Sequence, residues 1–549
     1  MPETIKANIV DIFAESIYPG SIDIDNGIIT AIKRSGDKPN PAKPCMIPGF
    51  TDAHVHIESS LLSPQAFARM AVVHGTIATV SDPHEIANVA GMKGVRWMLE
   101  NAKGSPFHFC FGVPSCVPAT AFETAGASVS PADVEALFAE DGLTYLAEMM
   151  NYPGVLNGDP EVWQKINIAK ALNKPIDGHA PGLRGDDALK YINAGISTDH
   201  ECFTLEEAQF KAQQGMHILI REGSAARNFE ALWPLLHSHP TKVMFCSDDK
   251  HPDSLLISHI DALVRRALMH GAPLFDVLRA ACYNPAKHYG LPNGMLRVGD
   301  KADFLLTENL LNPARFRVLQ TRIAGKIVSE NGVSRLPFTK PLHINSFNCE
   351  PIKPADIVVK AEKPGASVKV IKAEEGQLIT GLELHKLPEK NGRIYSDSEN
   401  DILKIVVINR YSPAPPAIAF VRGFGLKEGA LASTVAHDSH NIIAVGVSDE
   451  AITEAVNMVI GSKGGLAAWS ENEKLLLPLP IAGLMSDGEG KEIAAAYTAI
   501  DALSKKLGST TGSPFMTLSF MALLVIPRLK LSDKGLFDGE SFKFVHLQE

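Results

Sequence analysis

Residues 48 to 60 read PGFTDAHVHIESS, an apolar run that closes on two histidines two positions apart. Residues at i and i+2 of a strand point to the same side, so His54 and His56 can reach one ion. Taken alone the pair is ambiguous, because a strand-end histidine is more often hydrogen-bonded packing than a ligand. The surrounding pattern decides between the two.

Between residues 48 and 290, short β-branched runs alternate with helix-like stretches, the signature of parallel strands with crossover helices. The strand candidates are CMIPGFTDAHVH, TIATVSD, FHFCFGV, TYLAEMM, PIDGH, ISTDH, HILIRE and KVMFCSDD, and eight is the number that closes a (β/α)8 barrel. Active-site groups of such barrels come from the C-terminal ends of the strands. The first run ends in His54 and His56, the fourth in Glu148, the fifth in His179, the sixth in His200 and the eighth in Asp248 and Asp249. Independent accidents would not place four histidines and several carboxylates at one end of a ring. Imidazole and carboxylate without thiolate suit zinc, iron(II), manganese or cobalt. Six candidate ligands, His54, His56, Glu148, His179, His200 and Asp248, exceed the need of one catalytic ion. Two divalent ions about 3.5–4 Å apart fit the set better.

Outward from the barrel, residues 1–47 read as short strands around an Asn26-Gly27 hairpin turn. The same texture returns near residues 295 to 335, with a second turn at Asn331-Gly332. The expected architecture is an α/β chain with a distorted, TIM-like (β/α)8 barrel over 48–292. A small discontinuous β-domain is expected from 1–47 plus 293–345, and a C-terminal α/β or α+β domain over 346–549. In the last of these, AHDSHN brings His437, Asp438 and His440 together as a possible further metal or substrate site.

With 549 residues, 45% hydrophobic and 21% charged, the chain is long enough for several cores. A net charge of -10 argues against nucleic acid or an anionic membrane surface as the main partner. Seven scattered cysteines with no C-x-x-C pair, and a start without a basic and apolar leader, point to a cytoplasmic protein.

PGFTDAHVHIES resembles the first-strand signature of the amidohydrolase superfamily. SDPHEIANV (81–89), LAEMMNYPGV (146–155), DGHAPGL (177–183), IREGSAARN (220–228) and HDSHNIIAVG (437–446) together resemble the bacterial adenine deaminases. The resemblance runs from about residue 5 to the C-terminus. It implies hydrolytic deamination of adenine to hypoxanthine and ammonia at a metal centre, manganese or iron(II) with zinc also possible. The partner it implies is a small purine base, in a homo-oligomer, a dimer. Glu148 stands where many relatives carry a bridging carboxylated lysine, so it is expected to bridge the ions or to protonate the purine N1. Asp248 is the expected general base, with Glu85, Asp82 and Glu222 in reserve as acids. Arg221, Glu222 and Ser224 are expected to make polar contacts to the purine. Glu58, beside the opening histidines, is expected only to support. The competing readings are a cyclic amide hydrolase on the same apparatus and a barrel that has lost its chemistry.

Overall fold

A computed structural model describes residues 2–549 of the chain. Its first strands are β1 (Glu3–Asp11), β2 (Ser16–Asp25), β3 (Ile28–Arg34) and β4 (Cys45–Pro48). Next come β5 (Phe50–Val55), β6 (Thr76–Ser81), β7 (His108–Phe111), β8 (Leu146–Met149), β9 (Ile176–Gly178), β10 (Thr198–Asp199), β11 (His217–Arg221) and β12 (Val243–Cys246). They are followed by β13 (Phe304–Glu308), β14 (Arg317–Ile323), β15 (Lys326–Glu330) and β16 (Val333–Ser334).

Strands β5 to β12 form the barrel. Parallel pairing is continuous in three arcs, β5-β6-β7, β8-β9 and β10-β11-β12. Isolated backbone hydrogen bonds close the seams. Val113 N donates to Tyr145 O at 2.8 Å, Ser197 N to Ile176 O at 2.9 Å, and Asp248 N to His54 O at 2.9 Å. The ring is therefore complete but distorted. Ala53, Val80, Cys110, Ala147, Leu219 and Met244 pack into one apolar cluster. These residues come from strands on opposite sides of the ring, so the cluster fills its interior, as a barrel core must.

The run from Cys45 to His56, expected as one strand, is two. β4 leaves the barrel to pair in parallel with β1 and antiparallel with β13, and only β5 enters the ring. The break falls at Gly49, where a Cβ would come within 2.4 Å of Ile77 Cδ1. A bare backbone is needed there to turn from one sheet into the other.

The small sheet has the order β16-β15-β14-β13-β4-β1-β2-β3, so strands from either side of the barrel share it. Both of its Asn-Gly turns take left-handed backbone, with φ of 49° and 80° at Asn26-Gly27 and 50° and 76° at Asn331-Gly332. That is the conformation a two-residue hairpin demands.

The C-terminal region is built on a second eight-stranded sheet, centred on Ile402–Ile408, Ile442–Gly446 and Ala430–Ser433. The helix Asp449–Gly461 covers one face through Ile452, Val456 and Val459, all fully buried. The helix Gly490–Lys506 packs against the barrel helix Pro252–Ile257. This docking brings the loop 437–440 and the segment 520–523 over the barrel mouth. No helix among the described residues is long and apolar enough to cross a membrane.

Candidate metal centre

The barrel strand ends deliver their polar side chains to one buried cluster. His54 Nε2 and His56 Nε2 lie 3.2 Å apart. His56 Nε2 is also 3.2 Å from both Glu148 Oε1 and Asp248 Oδ1, and His54 Nε2 is 3.6 Å from Asp248 Oδ1. The second oxygen of Glu148 faces the other half of the cluster, 2.9 Å from His179 Nδ1 and 3.2 Å from His200 Nε2. Glu148 thus stands between two pairs of histidines with one oxygen toward each. None of the six residues is more than 6% exposed. His56 is oriented by its other ring nitrogen, which meets Asp82 O at 3.2 Å.

Burial by itself pushes the Glu148 carboxyl up, but the imidazoles of His179, His200 and His56 outweigh it and hold the group well below the usual carboxylate range. Burial acts on Asp248 in the same direction. There the Arg221 guanidinium, then His56 and the other histidines, bring it well below its ordinary value. His54 shows the opposite balance, with desolvation and the neighbouring His200 keeping it neutral. Burial also lowers His56, His179 and His200, but the carboxylates beside them outweigh it and raise all three, so of the four imidazoles only His54 is held in the neutral form that ligation needs.

The donor set fits a divalent-metal centre. It offers four imidazoles and two carboxylates and no thiolate. His179 Nε2 is buried with no hydrogen-bond partner, as is Asp82 Oδ2, although His84 Nδ1 lies only 3.0 Å from the latter. Donor atoms that crowd together without hydrogen-bond geometry are those expected around a shared cation.

The structure redistributes the remaining expected residues. Arg221 is at the cluster, yet its guanidinium is committed to carboxylates. Nη1 donates to Asp248 Oδ2 at 2.6 Å and to Glu201 Oε1, and Nη2 donates to Glu201 Oε2 at 3.0 Å. Glu222 and Ser224 do not face the cavity, which corrects their placement at the purine. Glu222 follows Arg221 on an extended backbone and so points the opposite way, to Arg266 Nη1 at 2.5 Å. Ser224 Oγ donates to Ser254 Oγ at 3.1 Å and accepts from His251 N at 2.9 Å. Asp82 acts through its neighbour: Oδ1 accepts from His84 N at 3.0 Å while Oδ2 faces the His84 ring. Glu58 is buried beneath the cluster, where Oε1 accepts from Ile86 N at 3.2 Å and burial pushes its carboxyl up to about 7.

Several residues at the cavity escaped the sequence reading. One is His84, which begins the helix His84–Ala102 just before the expected Glu85, and another is Glu201, which directly follows His200. Glu201 had a readable signal, an acid next to the sixth-strand histidine and available to a buried arginine. His437 and Asp438 line the same cavity as His56 and Glu148, which the C-terminal region roofs with Leu378, Phe520 and Leu523.

Comparison with known proteins covers both halves of this arrangement. The amidohydrolase family model matches residues 45–328, and the model of the adenine deaminase C-terminal domain matches residues 377–543. An adenine deaminase of Sulfurovum sp. (strain NBC37-1) is 53% identical over 542 residues, covering 98% of this chain and 99% of that protein. An adenine deaminase of Salinibacter ruber is 51% identical over 544 residues, covering 99% and 98%. One of Methanosarcina mazei is 50% identical over 550 residues, covering 98% of each.

Proposed function

The chain belongs to the adenine deaminase family of the amidohydrolases, and from that premise we propose that it hydrolyses adenine to hypoxanthine and ammonia at the Glu148 cluster. One observation carries the assignment to this site. The cavity over the histidines is enclosed jointly by the amidohydrolase-matched barrel and by the segment matched to the adenine deaminase C-terminal domain. Leu378, Phe520, Leu523 and Met150 give that cavity an apolar lining suited to a flat heteroaromatic ring, above polar groups that orient it.

Two divalent ions, manganese or iron(II) with zinc also compatible, are the proposed cofactors. His54, His56 and Asp248 would hold one, His179 and His200 the other, and Glu148 would bridge them. Such ions supply water acidified to a pKa of about 7 and so available as a nucleophile at neutral pH. The side chains do the rest. Asp248 takes the proton that the attacking water gives up and passes it to the departing amine, so that water and adenine leave as hypoxanthine and ammonia. Arg221 holds Asp248 by one oxygen, which fixes the other oxygen toward the histidines and keeps the carboxylate ionised between turnovers. Glu148, engaged by imidazoles on both oxygens, is a poor acid, so the N1 proton is assigned to another group of the cavity.

All seven cysteines are unpaired, which supports a reducing, cytoplasmic workplace. A cyclic amide hydrolase would use the same barrel ligands, but nothing in the third region favours it.

The test is ammonia release from adenine, adenosine and cyclic amides by manganese-loaded protein, beside its Asp248→Asn variant. Adenine alone should be turned over, and Asp248→Asn should abolish turnover even where some metal is retained. No ammonia from adenine in metal-replete protein would overturn the reading, and substantial turnover by Asp248→Asn would remove the base assignment.

A further inference from the structure

Next to the Glu148 cluster lies a second group of donors, none of them assigned above as a ligand of the two proposed ions. It joins His84 and Glu85 of the barrel to His437, Asp438 and His440 of the C-terminal region, all five at most 3% exposed. His84 Nε2 is 3.4 Å from Glu85 Oε1 and 3.9 Å from Asp438 Oδ1, and donor atoms of these three residues lie within 4.8 Å of one another. The His84 ring is shared between the two groups, since its Nδ1 faces Asp82 and Glu148 instead, at 3.0 and 3.5 Å.

Two observations set this group apart from an ordinary polar network. The first is unmet bonding. His437 Nδ1 approaches Glu85 Oε1 to 2.7 Å, yet Glu85 Oε1 accepts no hydrogen bond. His437 Nε2 and Asp438 Oδ2 are likewise buried without partners. Buried polar atoms are rarely left so in native proteins, and each such atom calls for a missing partner. The second is charge. Glu58, Glu85, Asp249 and Asp438 crowd one side of the cavity, and among the described residues no lysine or arginine forms an ion pair with any of them. Asp249 takes a hydrogen bond from the Ser59 hydroxyl and Glu58 one from Ile86 N, and only imidazoles face Glu85 and Asp438, which leaves the region short of positive charge.

We propose that Glu85, His84 and Asp438 hold a further divalent cation between the barrel and the C-terminal region, separate from the ions assigned to the Glu148 cluster. His440 Nε2 engages the second oxygen of Glu85 and thereby turns the first toward the cation, while His437 lies against that first oxygen. Mixed imidazole and carboxylate donors suit the same metals as the neighbouring cluster, manganese, iron(II) or zinc. Because its ligands come from both regions, this cation also fastens the roof onto the barrel. The proposal stands on these five residues and does not depend on adenine being the substrate.

Crystals of the full chain loaded with manganese, measured at the manganese absorption edge, test it directly. An anomalous peak within bonding distance of Glu85 and Asp438 is expected beside those at the histidine cluster. In solution, Asp438→Asn and, separately, His440→Gln should each lower the manganese retained after desalting by one equivalent per chain. A histidine cluster with its peaks and no peak at Glu85 would overturn the proposal, as would an unchanged metal content in both folded variants. Adenine turnover of the wild type, measured on the same sample, reports on the activity independently.

Discussion

Arg221 and Glu201 lie side by side beneath the cluster, Nη2 donating to Oε2 at 3.0 Å, while the same guanidinium reaches Asp248 with Nη1 at 2.6 Å. One planar fork therefore fixes two carboxylates at once, which a lysine cannot do. Arg221→Lys should retain metal and lower kcat/KM by about 10²-fold, the order of loss that a small misplacement of a reacting group produces. Arg221→Met leaves both carboxylates buried without their counter-ion, and should cost about 3–5 kcal/mol in denaturant unfolding. A lysine variant with wild-type kcat/KM would remove this positioning role.

Gly178 ends β9 immediately before His179, and a Cβ built on it would lie 2.3 Å from Thr198 O and 2.8 Å from Ile196 Cγ2. The first is main chain of the adjoining strand and cannot swing aside. Gly178→Ala should therefore open the seam between β9 and β10, costing about 1–3 kcal/mol and displacing His179. Thermal unfolding and metal content, measured together, should both fall. A variant with unchanged stability would show that the ring yields at this seam.

His179 touches Glu148 with one ring nitrogen and leaves the other buried without a partner. His179→Asn removes that nitrogen from the cluster. Metal retention after dialysis and adenine turnover should drop together, each by on the order of 10-fold or more. Full metal with full turnover would take His179 out of the proposed ligand set.

Lys530 is fully buried, and its ammonium donates to Leu378 O at 2.7 Å and Phe520 O at 2.9 Å, with no acid in contact. Burial lowers its pKa to about 7, against about 10.4 in an unfolded chain. Between these values the unfolded chain binds more protons than the folded one, so stability rises with pH. The penalty is full below about pH 7 and is relieved as pH climbs toward 10. Lys530→Met should remove this rise, a difference on the order of 4 kcal/mol between the two ends. Unfolding midpoints of both proteins from pH 6.5 to 10 check it, and parallel curves would contradict it.

The barrel is legible in the sequence because its signal is local. Each strand is a short β-branched run, and a polar ligand type closes most of them at the same end. The split between β4 and β5 is not legible, since Pro48-Gly49 interrupts neither the hydropathy nor the length of the run, and only packing on Ile77 separates the sheets. The same limit hid the roof of the cavity. AHDSHN has no periodicity, and its position depends on distant contacts such as Asn441 Nδ2 to Thr124 O at 2.8 Å and Thr124 N to Asp533 Oδ1 at 2.9 Å. Arg221 illustrates the converse error. Glu222, next to it in sequence, is expected to share its place at the purine, but adjacent residues on an extended backbone face apart, and the acid that joins Arg221 at the cluster is Glu201, which follows the neighbouring strand.

The order of these parts along the chain has a consequence for how the centre is filled. His54 to Asp248 emerge early in synthesis and the residues that roof them, Phe520 and Leu523, nearly last. Until those final segments dock, the histidines stand open to solvent and equilibrate freely with dissolved ions; afterwards, escape requires the roof to lift. Retention is then kinetic as well as thermodynamic, and the residence time of a bound ion is governed by how often two folded regions part.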